Sequence, residues 1–415
     1  MPGTKQTLIV IGGGAAGFFC AVNAARLNPA LEVIIVEKSN KILGKVRISG
    51  GGRCNVTHAC FDIAEMAKKY PRGKNFVKKT FHHFFTTDTI RWFEERGVPL
   101  KTEADGRMFP ASNTSQTIVD CLVKELNTYG VQLMLHKEVN ALNNVNGKWQ
   151  VHFSNDSMLE ADFVCVACGG YPKSTMFEWL TKTGHTIEAP VPSLFTFNIP
   201  AHPITKLMGV SVEHAAVKIR GTKLEEEGPV LVTHWGLSGP AILRLSAWGA
   251  RQLETQQYTF TAIINWLPSF TEQTLSKTFA AFRHEMAAQK IYNKNPFALP
   301  QRLWEYLCEQ AGVAADKRWA DLPAAIQNKL VKNICAGEFD IKGKTTFKEE
   351  FVTAGGVQLS EVDAATMMSK ITPQLYFSGE ILDVDGITGG FNFQHAWTSG
   401  WMAATAIAKA ALQAH

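Results

Sequence analysis

The stretch TLIVIGGGAAGFFCAVNAARL, residues 7–27, constrains the fold of this 415-residue chain more than any other. An apolar run leads into a glycine turn and then into small residues, which predicts a strand, a tight turn and a helix. Gly12, Gly14 and Gly17 fit the G-x-G-x-x-G pattern. The first allows the turn, the second lets a pyrophosphate approach the backbone, and the third lets the helix pack on the strand. We therefore expect a diphosphate at the helix N-terminus, where free N–H groups favour negative charge.

An acidic residue marks the end of the next predicted strand. The run LEVIIVEK, residues 31–38, is apolar up to Glu37, which lies 20 residues after Gly17. A carboxylate at this point can bind the two hydroxyls of an adenosine ribose and disfavours a 2′-phosphate. The pattern predicts FAD or NAD, rather than NADP, as the bound nucleotide.

Two later stretches favour FAD over NAD. The run ADFVCVACGG predicts a buried strand that ends at Ala167 and is followed by Gly169. Near the C-terminus, a strand leads to Gly379 and Glu380, and GGFN at residues 389–392 opens a long helix of small and apolar residues. An acid at a strand end can bind ribityl hydroxyls. The positive end of a helix suits the electron-rich pyrimidine edge of a flavin.

The composition is that of an ordinary globular protein, with 46% hydrophobic and 19% charged residues, and the length predicts two or three domains. The net charge of +5 is mild and spread along the chain, so we expect no nucleic-acid partner. The eight cysteines lack the spacing of a disulfide framework, which indicates a reducing, cytoplasmic location. No uninterrupted apolar stretch reaches membrane-spanning length, so no membrane partner is expected. Cys165 and Cys168 lie on a predicted strand facing opposite sides, so no metal site is expected.

The order of predicted elements indicates an insertion. Residues 1–190 form the first part of an FAD-binding domain, and a proline-rich break follows. Residues 191–350 form an inserted domain, β-barrel-like over 191–268 and helical over 269–350. Residues 351–415 return to the FAD-binding domain. A second G-x-G-x-x-G after a strand is absent, so NAD(P)H, if it is used, is expected to dock transiently against the flavin.

Several stretches resemble the BaiN/RdsA-like, or aminoacetone-oxidase-like, family of bacterial flavoproteins. They run from the first predicted strand to the last helix and read VIGGGAAG, ISGGGRCNVT, DGRMFPAS, VACGGYPKS, THWGLSGPAIL, VTAGGVQL and LYFSGEILDVDGITGGFNFQHAWTSG. The resemblance implies an α/β fold with a Rossmann-like FAD-binding domain of the glutathione-reductase type in two sequence pieces. An inserted β-barrel-like plus helical domain separates the pieces. No histidine or cysteine stands in a motif for covalent attachment, so we expect FAD to be non-covalent.

The resemblance also places residues at the cofactor. It assigns the ADP half to the glycine turn, the second strand end and a strand that meets the adenine. It assigns the flavin and ribityl chain to the GGGRCN loop and the C-terminal segment. The expected cofactor-binding residues are Gly12, Gly14, Ala15, Ala16, Gly17, Glu37, Lys38, Lys45, Gly52, Arg53, Cys54, Asn55, Val139, Ala167, Gly169, Gly379, Glu380, Asp383, Gly390, Phe391 and Asn392.

The GGGRCN loop has three interpretations. The glycines let the chain pass close to FAD while Cys54 is simply packed, or Cys54 and Arg53 are catalytic and touch the substrate or tune the flavin. The third is a redox disulfide between Cys54 and Cys60, although five residues separate them. Sequence leaves the choice open, because thiolate character depends on burial and neighbouring charge.

The expected function is hydride transfer through flavin N5, in an NAD(P)H-dependent reductase of a small unsaturated or carbonyl substrate. One alternative is an FAD-dependent amine oxidase that uses O2, and another is a non-enzymatic flavin-binding redox sensor. An RNA-modifying flavoenzyme ranks last, because it requires a basic groove. The oligomeric state is left open.

Overall fold

The structure is a computed structural model that describes residues 5–345 and 352–413. The chain divides into two compact units. The first combines the residues up to Ser193 with the residues from 352 onward, and the second begins at Leu194. The expected boundary between 350 and 351 lies outside the described residues.

The elements are numbered in chain order. The strands are β1 Thr7–Ile11, β2 Glu32–Val36, β3 Thr57–His58, β4 Leu100–Thr102, β5 Arg107–Pro110, β6 Gln132–Met134, β7 Val139–Val145, β8 Lys148–Phe153, β9 Met158–Ala161, β10 Phe163–Val166, β11 Ile187–Ser193, β12 Thr196–Asn198, β13 Ser211–Ile219, β14 Glu225–Val232, β15 Gly236–Ser238, β16 Thr259–Asn265, β17 Gly337–Lys342, β18 Lys344–Thr345, β19 Val352–Val357 and β20 Leu375–Phe377. The helices are α1 Ala15–Leu27, α2 Gly44–Gly52, α3 Ile63–Ala67, α4 Lys74–Thr80, α5 Thr86–Glu94, α6 Gln116–Thr128, α7 Glu178–Thr181, α8 Pro240–Trp248, α9 Ala250–Thr255, α10 Glu272–Glu285, α11 Gln301–Ala311, α12 Ala324–Cys335 and α13 Phe391–Gln413.

A parallel sheet with the strand order β20-β10-β1-β2-β6 carries the glycine turn. β1 and β10 are almost wholly buried apolar runs, as expected of parallel strands covered on both faces. From β1 the chain continues to β2 on one side, whereas β10 pairs on the other. Open α/β sheets bind ligands at the carboxyl ends of the strands where the order reverses in this way, and the glycine turn lies there.

α1 and α13 pack against each other through small residues. A Cβ added to Gly400 in α13 would lie 2.8 Å from the Ala16 carbonyl oxygen. A Cβ added to Gly379 would lie 2.7 Å from the Cβ of Ala16. The hydroxyl of Ser399 accepts a hydrogen bond from the N–H of Gly379 at 2.9 Å. The C-terminal helix therefore holds the segment that follows β20 against the start of α1.

The first unit contains three further sheets among its described residues, with orders β3-β5-β4, β7-β8-β9 and β11-β19. β11 continues to Ser193, past the expected boundary at 190, because its backbone pairs with β19 from the C-terminal part of the chain. The residues 191–193 therefore belong to the first unit.

The second unit has a mixed architecture. Its sheet has the strand order β17-β16-β13-β14-β15-β12-β18, and its core includes Trp266, Trp304 and Trp319. The helices α10 to α12 lie within the stretch expected to be helical, but β17 and β18 also lie there. β17 alternates strictly between buried and exposed residues, which is the period of a strand. No helix among the described residues is long and apolar enough to cross a membrane.

Candidate functional site

The three glycines of the first turn have two different roles. A Cβ at Gly12, whose φ is +116°, would lie 2.5 Å from the carbonyl oxygen of Ala167, and one at Gly17 would lie 2.0 Å from that of Gly12. These two glycines let the turn, the neighbouring strand and α1 approach each other. A Cβ at Gly14 would meet nothing within 4 Å. Gly14 precedes the first residue of α1, so the open space lies at the positive end of that helix.

A cavity of about 400 Å³ opens beside this turn. Its lining includes Gly12, Glu37, Lys38 and Val139, together with the aromatic side chain of Trp179. A cavity with an aromatic wall and a few polar groups is typical of a nucleotide-binding site. The structure thus brings together predicted residues of the ADP half from three separate strands.

Glu37 is fixed at the rim of the cavity by its neighbours. Its Oε2 accepts a hydrogen bond from the N–H of Gly13 at 2.8 Å. Its Oε1 accepts from the N–H and the hydroxyl of Ser39, both at 2.9 Å. A carboxylate has about four acceptor positions, so these three bonds leave capacity for a hydroxyl group of a ribose.

A second group of predicted residues meets where α2 begins. Lys45 forms an ion pair with Glu380, whose Oε1 also accepts from the N–H of Thr353 at 2.9 Å. The hydroxyl of Thr353 is buried and has no hydrogen-bond partner among the described residues. Buried polar atoms without partners are rare, and one beside Glu380 fits a site that receives a polar ligand. Thr353 is not predictable as a site residue from the sequence, because no sequence pattern reveals a hydroxyl that lacks a partner.

A third group links the GGGRCN loop to the start of α13. With its amide oriented to satisfy both partners, Asn55 donates to the Thr57 carbonyl at 3.0 Å and accepts from the Gly390 N–H at 2.9 Å. A Cβ on Gly390 would lie 2.5 Å from the same Thr57 carbonyl oxygen. Glycine at 390 therefore permits the contact, and Asn55 fastens it.

Other predicted residues of the C-terminal segment face protein rather than open space. The side-chain amide of Asn392 accepts from the Gly386 N–H at 2.8 Å and donates to the Gly386 carbonyl at 2.9 Å. The ring of Phe391 stacks on His58 with centroids 4.7 Å apart. The N–H of Asp383 donates to the Val357 carbonyl at 3.1 Å. Asn392 and Phe391 brace the loop before α13 from within the chain.

The remaining predicted cofactor residues occupy the turns around these three groups. Ala15 is the first residue of α1, and Ala16 lies under Gly379. Gly52 and Gly169 have positive φ values of 84° and 78°, and a Cβ on either would meet nothing within 4 Å. These turns therefore leave space beside the backbone, as close approach of a ligand requires.

The three glycines of the GGGRCN loop are explained by backbone conformation. Gly50, Gly51 and Gly52 have φ values of 60°, 68° and 84°, and Cys54 follows with 62°. Only glycine adopts this left-handed region routinely. Burial raises the pKa of the fully buried Cys54 thiol to about 12, although a hydrogen bond from Ser49 acts in the opposite direction. This environment keeps the thiol protonated and fits the interpretation of Cys54 as a packed residue.

Two further observations bear on the cysteines. Cys54 and Cys60 are both free thiols, and Cys60 is half-buried. Burial is also the largest cause that raises the pKa of Cys60. Within the described residues, no group of three His, Cys, Asp or Glu side chains is arranged to hold a metal ion.

Arg53 lies in a cluster of charges beside the same loop. Its Nη1 donates to Glu103 Oε1 at 2.6 Å, and its guanidinium lies 4.1 Å from the ring centroid of Phe109. Arg107 also contacts Glu103, at 3.5 Å. The Nη2 of Arg53 makes no hydrogen bond to the described part of the chain, so this half-buried cation has donors available for a ligand. Glu103 is not predictable as a site residue from the sequence, because nothing in its hairpin indicates that it contacts a loop 50 residues away.

The parallel sheet, the glycine turn at its switch point and the open helix N-terminus define the class: a Rossmann-like FAD-binding protein. The chain belongs to the HI0933-like protein Rossmann domain family, whose model matches residues 6–406. This membership confirms the resemblance on which the expected fold class rested.

Named relatives and solved structures agree with this assignment. The chain is 27% identical to the 3-dehydro-bile acid delta(4,6)-reductase of Clostridium scindens, over 96% of this chain and 98% of that protein. It is 29% identical to the ribosomal RNA dihydrouridine synthase of Haemophilus influenzae, over 97% of this chain and 98% of that protein. The structure of the open conformation of a flavocytochrome c3 fumarate reductase superposes with a TM-score of 0.52 at 16% identity, covering 99% of this chain and 79% of that one. A 3-ketosteroid-delta4-(5alpha)-dehydrogenase from Rhodococcus jostii RHA1 gives 0.52 at 12% identity, covering 98% of each chain.

These findings confirm three expectations. The fold is of the Rossmann-like FAD-binding class, the cofactor is FAD, and the protein is an FAD-dependent oxidoreductase. The residues present fit FAD, because Gly14 leaves open space at a helix N-terminus and Thr353 offers a buried hydroxyl without a partner. The individual cofactor contacts stay predictions.

Proposed function

We propose that this protein reduces a carbon–carbon double bond conjugated to a carbonyl group, with NAD(P)H as the electron donor. The names of the two kinds of relative support the reaction. A 3-dehydro-bile acid delta(4,6)-reductase saturates ring double bonds that are conjugated to a ketone. A dihydrouridine synthase saturates the ring double bond that a carbonyl activates in uracil. These substrates differ greatly in size, but the reacting group is the same.

The observation that carries the proposal is that the Nη2 group of Arg53 makes no hydrogen bond to the described residues. When a hydride adds to a conjugated double bond, negative charge develops on the carbonyl oxygen. A positioned cation with unused N–H donors stabilises that charge in the transition state. Glu103 and the ring of Phe109 hold the Arg53 guanidinium in place while its Nη2 stays available. Arg53 is therefore assigned to the carbonyl oxygen, and Glu103 is assigned as a positioning residue.

When bound, FAD supplies the redox chemistry by carrying a hydride at N5. For each double bond reduced, one NAD(P)H and one proton are consumed, and NAD(P)⁺ and a saturated carbonyl compound are formed. The chain holds and orients the reactants. The N-terminus of α1 and Gly14 would hold the diphosphate of FAD, Glu37 would accept hydrogen bonds from the adenosine ribose, and Lys45 with Glu380 would bind the ribityl hydroxyls. The location that we propose is the cytoplasm, because the spacing of the eight cysteines is not that of a disulfide framework.

The first experiment is anaerobic mixing of the purified protein with NADH and then NADPH while the visible flavin band is followed. Bleaching of the band by either nucleotide is the expected result. Turnover is then measured with 2-cyclohexenone, with cyclohexanone and with a small amine in the presence of O2. Reduction of the enone alone agrees with the proposal. Amine turnover with O2 would replace it with an oxidase, and no turnover with any compound would favour a redox sensor.

A variant pair tests the role of Arg53. We expect R53M to lower kcat for the enone by about 100-fold, because one donor to the developing charge is lost, while FAD content stays that of the wild type. The control is R91M, since Arg91 is exposed and lies 4.0 Å from its partner Asp88, and we expect it to leave kcat unchanged. An R53M protein with full FAD content and wild-type kcat would contradict the assignment.

A further inference from the structure

Saturation of a double bond requires a proton as well as a hydride, because each of the two carbons gains one hydrogen. Histidine suits the role of proton donor, since its usual pKa is the closest of any side chain to neutral pH. His58 ends β3, the strand that follows the GGGRCN loop. Its surroundings decide whether it can donate a proton to a substrate.

The imidazole ring of His58 is held in one orientation. It stacks on Phe391 with centroids 4.7 Å apart, and its Nδ1 lies 3.0 Å from the carbonyl oxygen of Gly389. A carbonyl oxygen only accepts hydrogen bonds, so Nδ1 carries a hydrogen and donates it. Nε2 is therefore the nitrogen that gains and loses a proton, and it makes no hydrogen bond to the described residues.

The residue next to Nε2 is a glycine. Gly106 has a φ of +84°, and a Cβ added to it would lie 2.6 Å from Nε2 of His58. Any other residue at this position would therefore place its side chain against that nitrogen. His58 is only half-buried, so water can also reach the ring. Nε2 is thus accessible to a reacting group and to a new proton.

His58 and Arg53 lie on the same face of the sheet β3-β5-β4. His58 pairs directly with Arg107 of β5, and directly paired side chains point to the same face of a sheet. Phe109 is two residues further along β5, so its ring belongs to that face as well. The guanidinium groups of Arg107 and Arg53 lie 5.4 Å and 4.1 Å from the centroid of this ring.

The spacing on this face fits a single substrate molecule. Arg53 lies against Phe109, and His58 is paired two residues away, which corresponds to about 7 Å along the strand. In a conjugated carbonyl compound, the oxygen and the carbon that receives the proton are about 2.5 Å apart. With a contact of about 3 Å at each end, one molecule can reach both Arg53 and His58.

Two other proton-bearing side chains near the loop are closed to a substrate. Tyr70 is 1% exposed, and its hydroxyl donates to the Phe391 carbonyl at 2.6 Å. Cys54 is fully buried, and burial raises the pKa of its thiol to about 12. Of these three side chains, His58 is the one that a substrate can contact.

Charged groups from two neighbouring segments act on His58. Burial is the largest cause and lowers the pKa of His58 from its usual 6.5, whereas the hydrogen bond to Gly389 raises it. The carboxylate of Asp105 also raises this pKa, and the positive charges of Lys69 and Arg107 lower it. The Nε2 proton is therefore more acidic than that of a free imidazolium, which favours its transfer to carbon.

We propose that His58 is the catalytic acid that protonates the substrate carbon next to the carbonyl group. The inference rests on the proposed function, which supplies the class of substrate. As a hydride adds to the far carbon, the double bond becomes a single bond and negative charge reaches the carbonyl oxygen beside Arg53. His58 gives its Nε2 proton to the near carbon, and the neutral ring then takes a new proton from water.

The test compares the FAD-loaded wild type with H58Q, and 2-methyl-2-cyclohexenone is the substrate. NAD(P)H should bleach the flavin of both proteins at the same rate, because that step protonates no carbon. Reoxidation of the reduced protein by the enone should be at least about 100-fold slower in H58Q. The wild type should form one enantiomer of 2-methylcyclohexanone, since the proton arrives from one side, whereas H58Q should form both, since water then donates.

The pH dependence gives a second readout. Because His58 must carry its proton, the second-order rate constant for reoxidation of the wild type should fall about 10-fold per pH unit above the pKa of His58, and H58Q should lack this fall. NMR of the anaerobically reduced protein with 13C-labelled histidine measures that pKa directly. The two midpoints should agree and lie below pH 6.5. D105N keeps His58 and should move both midpoints to lower pH, because a carboxylate that raises the pKa is lost.

The matched control is H82Q, since His82 is an exposed histidine of the same unit, and it should behave like the wild type. Wild-type reoxidation rate and pH dependence in H58Q would overturn the role of His58, and so would an NMR midpoint that differs from the kinetic one. Either result would leave the proposed function standing while the wild type reduces the enone. No reduction of the enone by the wild type would refute the proposed function and the role of His58 together.

Discussion

Replacement of Gly14 or Gly17 by alanine separates packing from cofactor binding in the first turn. A Cβ at Gly17 would lie 2.0 Å from the Gly12 carbonyl oxygen, and real Cβ atoms do not approach closer than 3.0 Å. G17A therefore forces α1 away from β1 by about 1 Å, and overpacking of this kind costs about 1–3 kcal/mol. We expect the apoprotein to lose stability by that amount.

G14A should have the opposite effect on stability. Gly14 has a φ of −92° and a ψ of −172°, which alanine adopts without strain, and its Cβ would meet nothing within 4 Å. Such replacements stabilise proteins by about 0.4–1 kcal/mol through the unfolded state. The new methyl group nevertheless occupies the space before α1. Loss of one hydrogen bond to a charged phosphate costs about 1.5–3 kcal/mol, which raises the Kd for FAD by about 10- to 150-fold.

Both quantities can be measured on the same preparations. Urea unfolding of the apoproteins gives the stability, and titration with FAD followed by quenching of flavin fluorescence gives the Kd. The expected pattern is an unstable G17A and a stable G14A that binds FAD weakly. A G14A protein that binds FAD as tightly as the wild type would refute the assignment of the open space to the diphosphate.

Two further predictions concern buried titratable groups. Burial raises the pKa of Cys54 to about 12, so iodoacetamide at pH 8 should leave Cys54 unmodified in the native protein and modify it after unfolding. Peptide mass spectrometry measures the modification. Modification of Cys54 in the native protein would contradict a packed, protonated thiol. Burial lowers the pKa of His395 from 6.5 to about 4, so unfolding takes up a proton as the pH falls below 6.5. The free energy of unfolding is therefore unaffected by His395 above pH 6.5. Between pH 6.5 and pH 4 it decreases by up to about 3 kcal/mol, because the unfolded state binds a proton that the buried imidazole does not. Urea unfolding at several pH values should show this decrease, and H395Q should lack it; an identical pH dependence in both proteins would refute the burial argument.

The sequence predicted the elements whose pattern is local. Strand β1, the glycine turn and α1 follow from residues 7–27, because the spacing of the glycines has a direct steric meaning. The family resemblance predicted that the C-terminal part of the chain returns to the FAD-binding domain. The pairing of β20 with β10 in the parallel sheet shows this return.

What the sequence did not reveal depends on contacts between distant positions. β17 and β18 fall in a stretch expected to be helical, although the alternation in GEFDIK is visible once it is separated from α12. The ion pair between Arg53 and Glu103 joins two loops whose distance no local pattern specifies. The concentration of positive charge near α4 is present in the sequence, but only the fold shows that Lys74, Lys78 and Lys79 are exposed.

The order of strands in the parallel sheet has a consequence for the synthesis of the chain. β10 lies between β1 and β20, and β20 is translated only after the whole second unit. Until then, a nascent chain on the ribosome presents β10 as an open edge and α1 without the helix that covers its small residues. The first unit therefore completes its folding only after the second unit has been synthesised, and until then the edge of β10 is open to pairing with other chains.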